Sequence, residues 1–253
     1  MKHFPLLIPI LISLFAVSCR TIPEGGTASP PVSGADVVDA MYAKYADVWY
    51  ECLRVRQKVV YHDSSGAPQR EEIWTELIEL PGKVRSIIGE EADGNGEIYV
   101  DGAFHIIRDG RVDRVARQAH PVLLIGYDVY RQDPAETIRK LEDAGFDLAR
   151  LHEAEWNGRR TYVVGAAGGD ETGNQFWIDA ERLLCSRIIT TRPGGIIYDI
   201  RFTKYEQFAG VWLCTELIFR LNGRLRLSEY DLEHSIPESI DPATFAIPPA
   251  GSS

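Results

Sequence analysis

Three nucleophile-type residues stand together in His62-Asp63-Ser64-Ser65-Gly66, the side chains that a serine hydrolase would use. A triad is assembled in space from separate elements, and this cluster instead has the composition of a hairpin turn. Asp93-Gly94-Asn95-Gly96-Glu97 opens like a calcium loop, with Asp101 following. It then puts Ile98 where the sharp-turn glycine belongs and Phe104 where the bidentate glutamate belongs, so it does not meet the EF-hand pattern. His105, His120, His152 and His234 are scattered without a close second ligand, and no phosphate loop, nucleophile elbow or His-Glu-x-x-His helix occurs. No catalytic residue, metal site or cofactor is expected, although an enzyme whose site is invisible to linear motifs stays open.

Cys19 is different. A lysine at position 2, an apolar run from Phe4 to Val17, and Phe15-Ala16-Val17-Ser18-Cys19 at its end give a short secretory signal. Its cleavage point lies between a small residue and a cysteine. The run falls short of the ~20 residues that a spanning helix needs. The spacing predicts cleavage after residue 18 and lipidation of Cys19, hence attachment to a membrane through acyl chains. Arg20 then favours outer-membrane sorting, facing the periplasm, over retention at the inner membrane. Cys52, Cys185 and Cys214 remain, an odd number. Cys185 and Cys214 fall on strands expected to flank a third, roughly 9–10 Å apart, beyond the ~7 Å limit for a bridge. They read as small apolar core residues.

The net charge of −10 grows by one when Lys2 leaves, which excludes nucleic acid and an anionic lipid surface as electrostatic partners. Anchoring must come from the acyl chains, since two or three hold stably without basic residues.

Four segments follow: a signal over 1–18, a tether over 19–34 rich in Gly, Pro, Ser and Thr, a folded domain over 35–248 and a tail over 249–253. Val38, Met41, Tyr42, Tyr45, Val48 and Trp49 recur at helical spacing, with Ser33 and Asp36 as a capping box. Alternation then predicts strands at 52–62, 71–80, 83–90, 97–100, 104–108 and 111–115. Asp101-Gly102, Asp109-Gly110, Asn157-Gly158 and Asn222-Gly223 supply tight turns. His120 to Tyr130 is apolar without strict alternation and reads as a short buried helix or loop. Asp133-Pro134-Ala135-Glu136 starts a helix that ends near Gly145. Strands resume at 160–166, 175–179, 183–191, 196–208, 211–221 and 224–233, and the closing segment Ile236 to Pro248 docks through Phe245.

This order, with Gln175 to Ile189 as an apolar strand, acidic turn and second strand and with the Pro-rich closing segment, resembles the lipoprotein-localisation superfamily of the LolA and LolB type. The resemblance covers about 36–248. It implies a mainly β fold with a few helices: a strongly curved antiparallel sheet, or unclosed barrel, with an N-terminal helix and central helices covering the concave side. It also implies a lipid, acyl-chain or other apolar ligand in that concavity. A tether is at odds with a free carrier, and the polar loop 168–174 is at odds with a membrane-delivery loop.

By alternation, Tyr198, Ile200 and Phe202 share one side of their strand, and Leu213, Leu217 and Phe219 one side of the next. With Leu123 and Leu124 from a covering plug over 122–127, these are the candidate ligand-binding residues. The alternatives are a sensory or scaffolding lipoprotein that binds another envelope protein, and a hydrolase. Clustered carboxyls or a perturbed histidine in a cleft would favour the last.

Overall fold

The computed structural model describes residues 30–250. Cys19 and the signal lie outside the described residues. The first helix, α1 (Gly34–Tyr45), starts where the capping box places it. The Asp36 backbone N–H donates to Ser33 Oγ, and the Ser33 backbone N–H donates back to Asp36 Oδ2 at 2.9 Å. Val38, Met41 and Tyr45 are buried, as is Trp49 beyond the helix end, whereas Val48 is exposed. The helix stops at Tyr45, so the 3.6-residue spacing no longer governs where Val48 points.

Thirteen strands follow. They are β1 (Cys52–His62), β2 (Pro68–Glu79), β3 (Lys83–Ile88), β4 (Gly96–Val100), β5 (Ala103–Arg108) and β6 (Arg111–Arg117), then β7 (Leu151–Trp156), β8 (Arg159–Val164), β9 (Gln175–Asp179), β10 (Cys185–Arg192), β11 (Ile196–Phe208), β12 (Val211–Leu221) and β13 (Arg224–Ser235). They make one sheet in the order β6-β5-β4-β3-β2-β1-β13-β12-β11-β10-β9-β8-β7. Every neighbouring pair is antiparallel, and the sheet does not close. β1 pairs with β13, so the first and last strands join a meander from each half of the chain. The four expected two-residue turns form, with Asp101, Asp109, Asn157 and Asn222 and the glycine after each at positive φ. These residues accept that conformation at low cost, and its twist matches that of the flanking strands.

β7 was not expected. Leu-His-Glu-Ala-Glu-Trp has the low β-propensity and even polarity of an edge strand, and β7 pairs only with β8. The Asn157-Gly158 turn carried the signal, since a tight turn before β8 requires a strand on its other side.

The insertion between β6 and β7 contains α2 (Pro121–Gly126) and α3 (Pro134–Asp143). α3 begins as its Asp-Pro start dictates, with the Ala135 N–H donating to Asp133 Oδ1 at 2.9 Å. Leu123, Leu124 and Ile125 of α2 are buried, and Tyr130 after it is fully buried against Tyr45 and Trp49. Gly126 allows α2 to approach the sheet: a Cβ there would lie 2.8 Å from a ring carbon of Phe202 on β11. Phe245 is buried with Ile240 and Cys52, which docks the closing segment on the sheet.

Candidate functional site

Alternation puts Trp74, Glu76 and Ile78 of β2 on one side of the sheet. Directly opposed residues share a face. Trp74 therefore brings Gln57 of β1 with it, Glu76 brings Ser86 of β3 and then Glu97 of β4, and Ile78 brings Val84 and then Tyr99. From the other half of the sheet, Leu217 stands opposite Glu229 of β13 and Phe219 opposite Leu227. All of these except Gln57 wall a cavity of about 360 Å³ that the α2 segment closes with His120, Val122, Leu123 and Tyr127. The volume lies within the range of small-ligand sites.

Of the residues expected at the site, Tyr198, Leu217, Phe219 and Leu123 line this cavity. Ile200, Phe202 and Leu213 are buried in the continuous core. Leu124 lines a second cavity of about 440 Å³ on the other side of α2, where Lys83, Asp128, Arg139 and Lys140 make a polar wall. There the Gly82 N–H donates to Asp128 Oδ1 at 2.9 Å, and burial raises the Asp128 carboxyl to about 7. Tyr99 and His120 border both cavities.

His120 caps α2: its Nδ1 accepts from the Leu123 N–H at 3.2 Å, so the neutral ring carries its proton on Nε2. Burial among apolar side chains lowers its pKa to about 4. The ring stacks on Phe104 at 4.9 Å between centroids, with Tyr99 edge-on at 5.2 Å. These contacts commit it to structure.

The remaining feature is acidic. Burial raises Glu76 to about 7, against a hydrogen bond from Ser86 Oγ at 2.9 Å. Glu97 is raised by burial, against the nearby charge of Arg114. Glu229 is pushed well above the carboxylate range by burial and then by repulsion from Glu76, Asp231 and Glu97. Asp231, beside Glu229 in the chain direction, is raised to about 7 by burial and then by Glu76 and Glu206. The sequence held a usable signal, since Glu76 interrupts an apolar face between Trp74 and Ile78, as Glu229 does after Leu227. Among the described residues, no group of three or more His, Cys, Asp or Glu side chains is placed to hold a metal ion.

No protein-family model and no curated protein matches this chain. Solved structures do. A domain described as an outer membrane lipoprotein-sorting protein from Vibrio parahaemolyticus superposes with a TM-score of 0.55 at 10% identity, covering 84% of this chain and 95% of that one. A DUF1329 family protein from Desulfovibrio piger gives 0.53 at 14% identity, over 84% and 95%. A LolA superfamily protein from Nitrosomonas europaea gives 0.53 at 11%, over 83% and 97%. At such identities the likeness is one of fold, and the unclosed thirteen-stranded antiparallel sheet with helices over its concave side is a LolA-like fold.

Proposed function

We propose that this chain is a bacterial envelope lipoprotein whose half-barrel domain, residues 35–248, holds a lipid or other apolar chain without covalent chemistry. The observation that carries this reading is the cavity itself. Trp74, Ile78, Val84, Tyr99, Leu217 and Phe219 leave an apolar-walled space beneath α2. An apolar chain entering it would bind by removing its own surface and that of these walls from water, at about 25 cal/mol per Å². Native mass spectrometry of the protein taken from its own cell is expected to show a co-purifying lipid lost on organic extraction. A bare mass under conditions that preserve the fold counts against the reading.

Attachment is assigned to Cys19, with the protein facing the periplasm from the outer membrane. Among the described residues no helix is long and apolar enough to cross a membrane. In cell fractionation, Cys19→Ser is expected to move the protein from membranes to the soluble fraction. Full retention on membranes overturns the assignment.

Hydrolysis is the second reading, because carboxyl groups with raised pKa values in a cleft are what general acid–base catalysis uses. Around the cavity, however, no serine is paired with a histidine: the Ser86 hydroxyl donates to Glu76, and His120 Nδ1 is occupied by the Leu123 N–H. Recovery of an intact lipid favours binding, and recovery of a cleaved one favours hydrolysis.

A further inference from the structure

We propose that the cavity takes amphiphiles with an anionic oxygen head group, phosphate or carboxylate, held at its mouth by Arg220 and Arg226, with the apolar chain running inward along Phe219, Leu217 and Trp74. The inference rests on the ligand-binding reading and adds the chemical class of the ligand.

The mouth is placed by exposure. Trp74, Ile78, Val84 and Leu217 on the cavity wall are buried, whereas Arg226 is exposed, and Arg220 and Leu221 across the hairpin from it are half-buried. The cavity therefore opens at the end of the β12–β13 hairpin. Register brings the neighbouring hairpin to the same place. Tyr198 of β11, a wall residue, stands opposite Leu221 of β12, which stands opposite Arg224 of β13. Arg192 of β10 lies with its guanidinium 4.6 Å from the centre of the Tyr198 ring.

This end of the sheet is charged against the rest of the chain. The net charge is −10, yet 190–198 and 217–228, which include the two hairpin ends, contain Arg192, Arg220, Arg224 and Arg226 and no Asp or Glu. A tight turn does not require this. Arg159 follows the like turn Asn157-Gly158 and is paired with Asp179 and Glu181, and Arg201, on the strand of Tyr198, is paired with Asp199. Among the described residues none of the four has a carboxylate partner. Arg220 instead donates from Nε to the Gly223 carbonyl at 3.1 Å, and Arg192 has the Tyr198 ring. Both contacts fix a guanidinium in place without neutralising it.

The head group follows from that chemistry. A guanidinium offers N–H donors in a planar fork and no acceptor, which matches a phosphate or carboxylate and gives nothing to an ammonium. Two of them at an apolar mouth favour an oxyanion over a neutral head, and Arg192 and Arg224 add to the field. The carboxyls on the wall do not cancel it. Leu217, opposite Glu229, and Leu221, opposite Arg224, are four residues apart, about 13 Å along a strand. Burial also raises Glu76 to about 7 and Glu229 well above the carboxylate range, so near pH 6 both are largely uncharged.

The test is displacement of a neutral fluorescent naphthylamine from the full chain at pH 6 and low salt, with every ligand below its micellar concentration. Dodecyl phosphate is expected to bind about tenfold tighter than dodecanol, and dodecyltrimethylammonium more weakly than dodecanol. Arg220→Gln with Arg226→Gln is expected to bring the phosphate down to the level of dodecanol and to leave dodecanol unchanged. Arg54→Gln with Arg117→Gln removes the same charge from exposed arginines that do not line the cavity, and is expected to change neither. An ammonium bound as tightly as the phosphate, or a phosphate preference lost equally in both double variants or in neither, overturns the head-group assignment and leaves the cavity reading in place. The wild-type ratio of phosphate to ammonium decides the case should the rim variant not fold. Failure of every ligand to displace the probe overturns the cavity reading itself. Dodecanoate run beside a monoacyl phosphatidylglycerol separates a free fatty acid from a phospholipid as the source. Whichever binds tighter is expected to lose about tenfold in the rim variant, and no loss overturns the assignment.

Discussion

Arg187→Met is expected to lower the unfolding free energy by about 3 kcal/mol, the low end for removing one partner of a buried ion pair. Arg187 of β10 and Asp199 of β11 are 3% and 8% exposed and form two bonds, Nε to Oδ1 at 2.8 Å and Nη2 to Oδ2 at 3.0 Å. The guanidinium also reaches Glu171 at 2.9 Å and lies against both Trp156 and Trp177, 4.7 and 5.2 Å from their ring centres. Methionine keeps much of the packing against both indoles and leaves Asp199 with Arg201 alone, at 2.7 Å. That surviving pair is why the low end is expected.

The acid limb of the same variant gives the sign of the electrostatics. Burial pushes the Asp199 carboxyl up, and the hydrogen bonds from Arg187 and Arg201 outweigh it and hold the group below its ordinary value. Its stabilisation is therefore present above the unfolded value, about 3.9, and is lost as pH falls through the lower folded value. In Arg187→Met one of those donors is gone, so the loss of stability is expected to begin at higher pH. Urea denaturation at pH 7 and a melting series from pH 3 to 7 measure both. A further change to Asp199→Leu, which removes the stranded charge, is expected to recover most of the loss. A single variant within 1 kcal/mol of wild type shows that the pair holds nothing together.

That cluster also shows where alternation in sequence stops being informative. Asp199, Arg201 and Thr203 alternate with the apolar residues of β11, yet Asp199 is as buried as Ile200 on the other side. Its cover comes from Trp156 of β7 and Trp177 of β9, brought over the convex face by strand order, which no local pattern encodes. Tight turns, the capping box and the Asp-Pro helix start were legible because each is settled by a few neighbouring residues. The cavity was legible only in part, for a similar reason. The concave sides of β11 and β12 were found by alternation, but Phe202, beneath Gly126 of α2, and Leu213 are buried in the continuous core while Leu217 and Phe219 line the cavity. How far a covering helix reaches depends on Gly126 and the ring of Phe202, a contact between residues 76 positions apart in the chain. Glu76 and Glu229 were visible as acidic residues on apolar faces, but their convergence needed the β1–β13 pairing.

The largest effect on binding is expected from Leu217→Trp. Leu217 is buried, faces the cavity, and stands between Phe202 of β11 and Glu229 of β13, so a larger ring there has no direction to grow except into the open space. Each methylene that a straight-chain ligand buries contributes about 0.8 kcal/mol, close to fourfold in Kd. In a series of straight-chain alcohols the wild-type affinity is therefore expected to rise about fourfold per carbon and to level off at the length that fills the cavity. A tryptophan adds roughly the room of two methylenes over leucine, and would remove about 1.6 kcal/mol, on the order of fifteenfold, from chains beyond that length and move the plateau to shorter ones. Overpacking costs about 1–3 kcal/mol of stability, so the variant must be compared at a denaturant-free temperature where both proteins are folded. Leu123→Ala opens the same wall from α2. It is expected to cost about 2–5 kcal/mol of stability and to shift the plateau to longer chains. Opposite displacements of one plateau by two residues on facing elements are hard to obtain from destabilisation alone, which would weaken every chain length by the same factor. If both variants keep the wild-type plateau, the alkyl chain is bound elsewhere and the cavity under α2 is an unfilled part of the core.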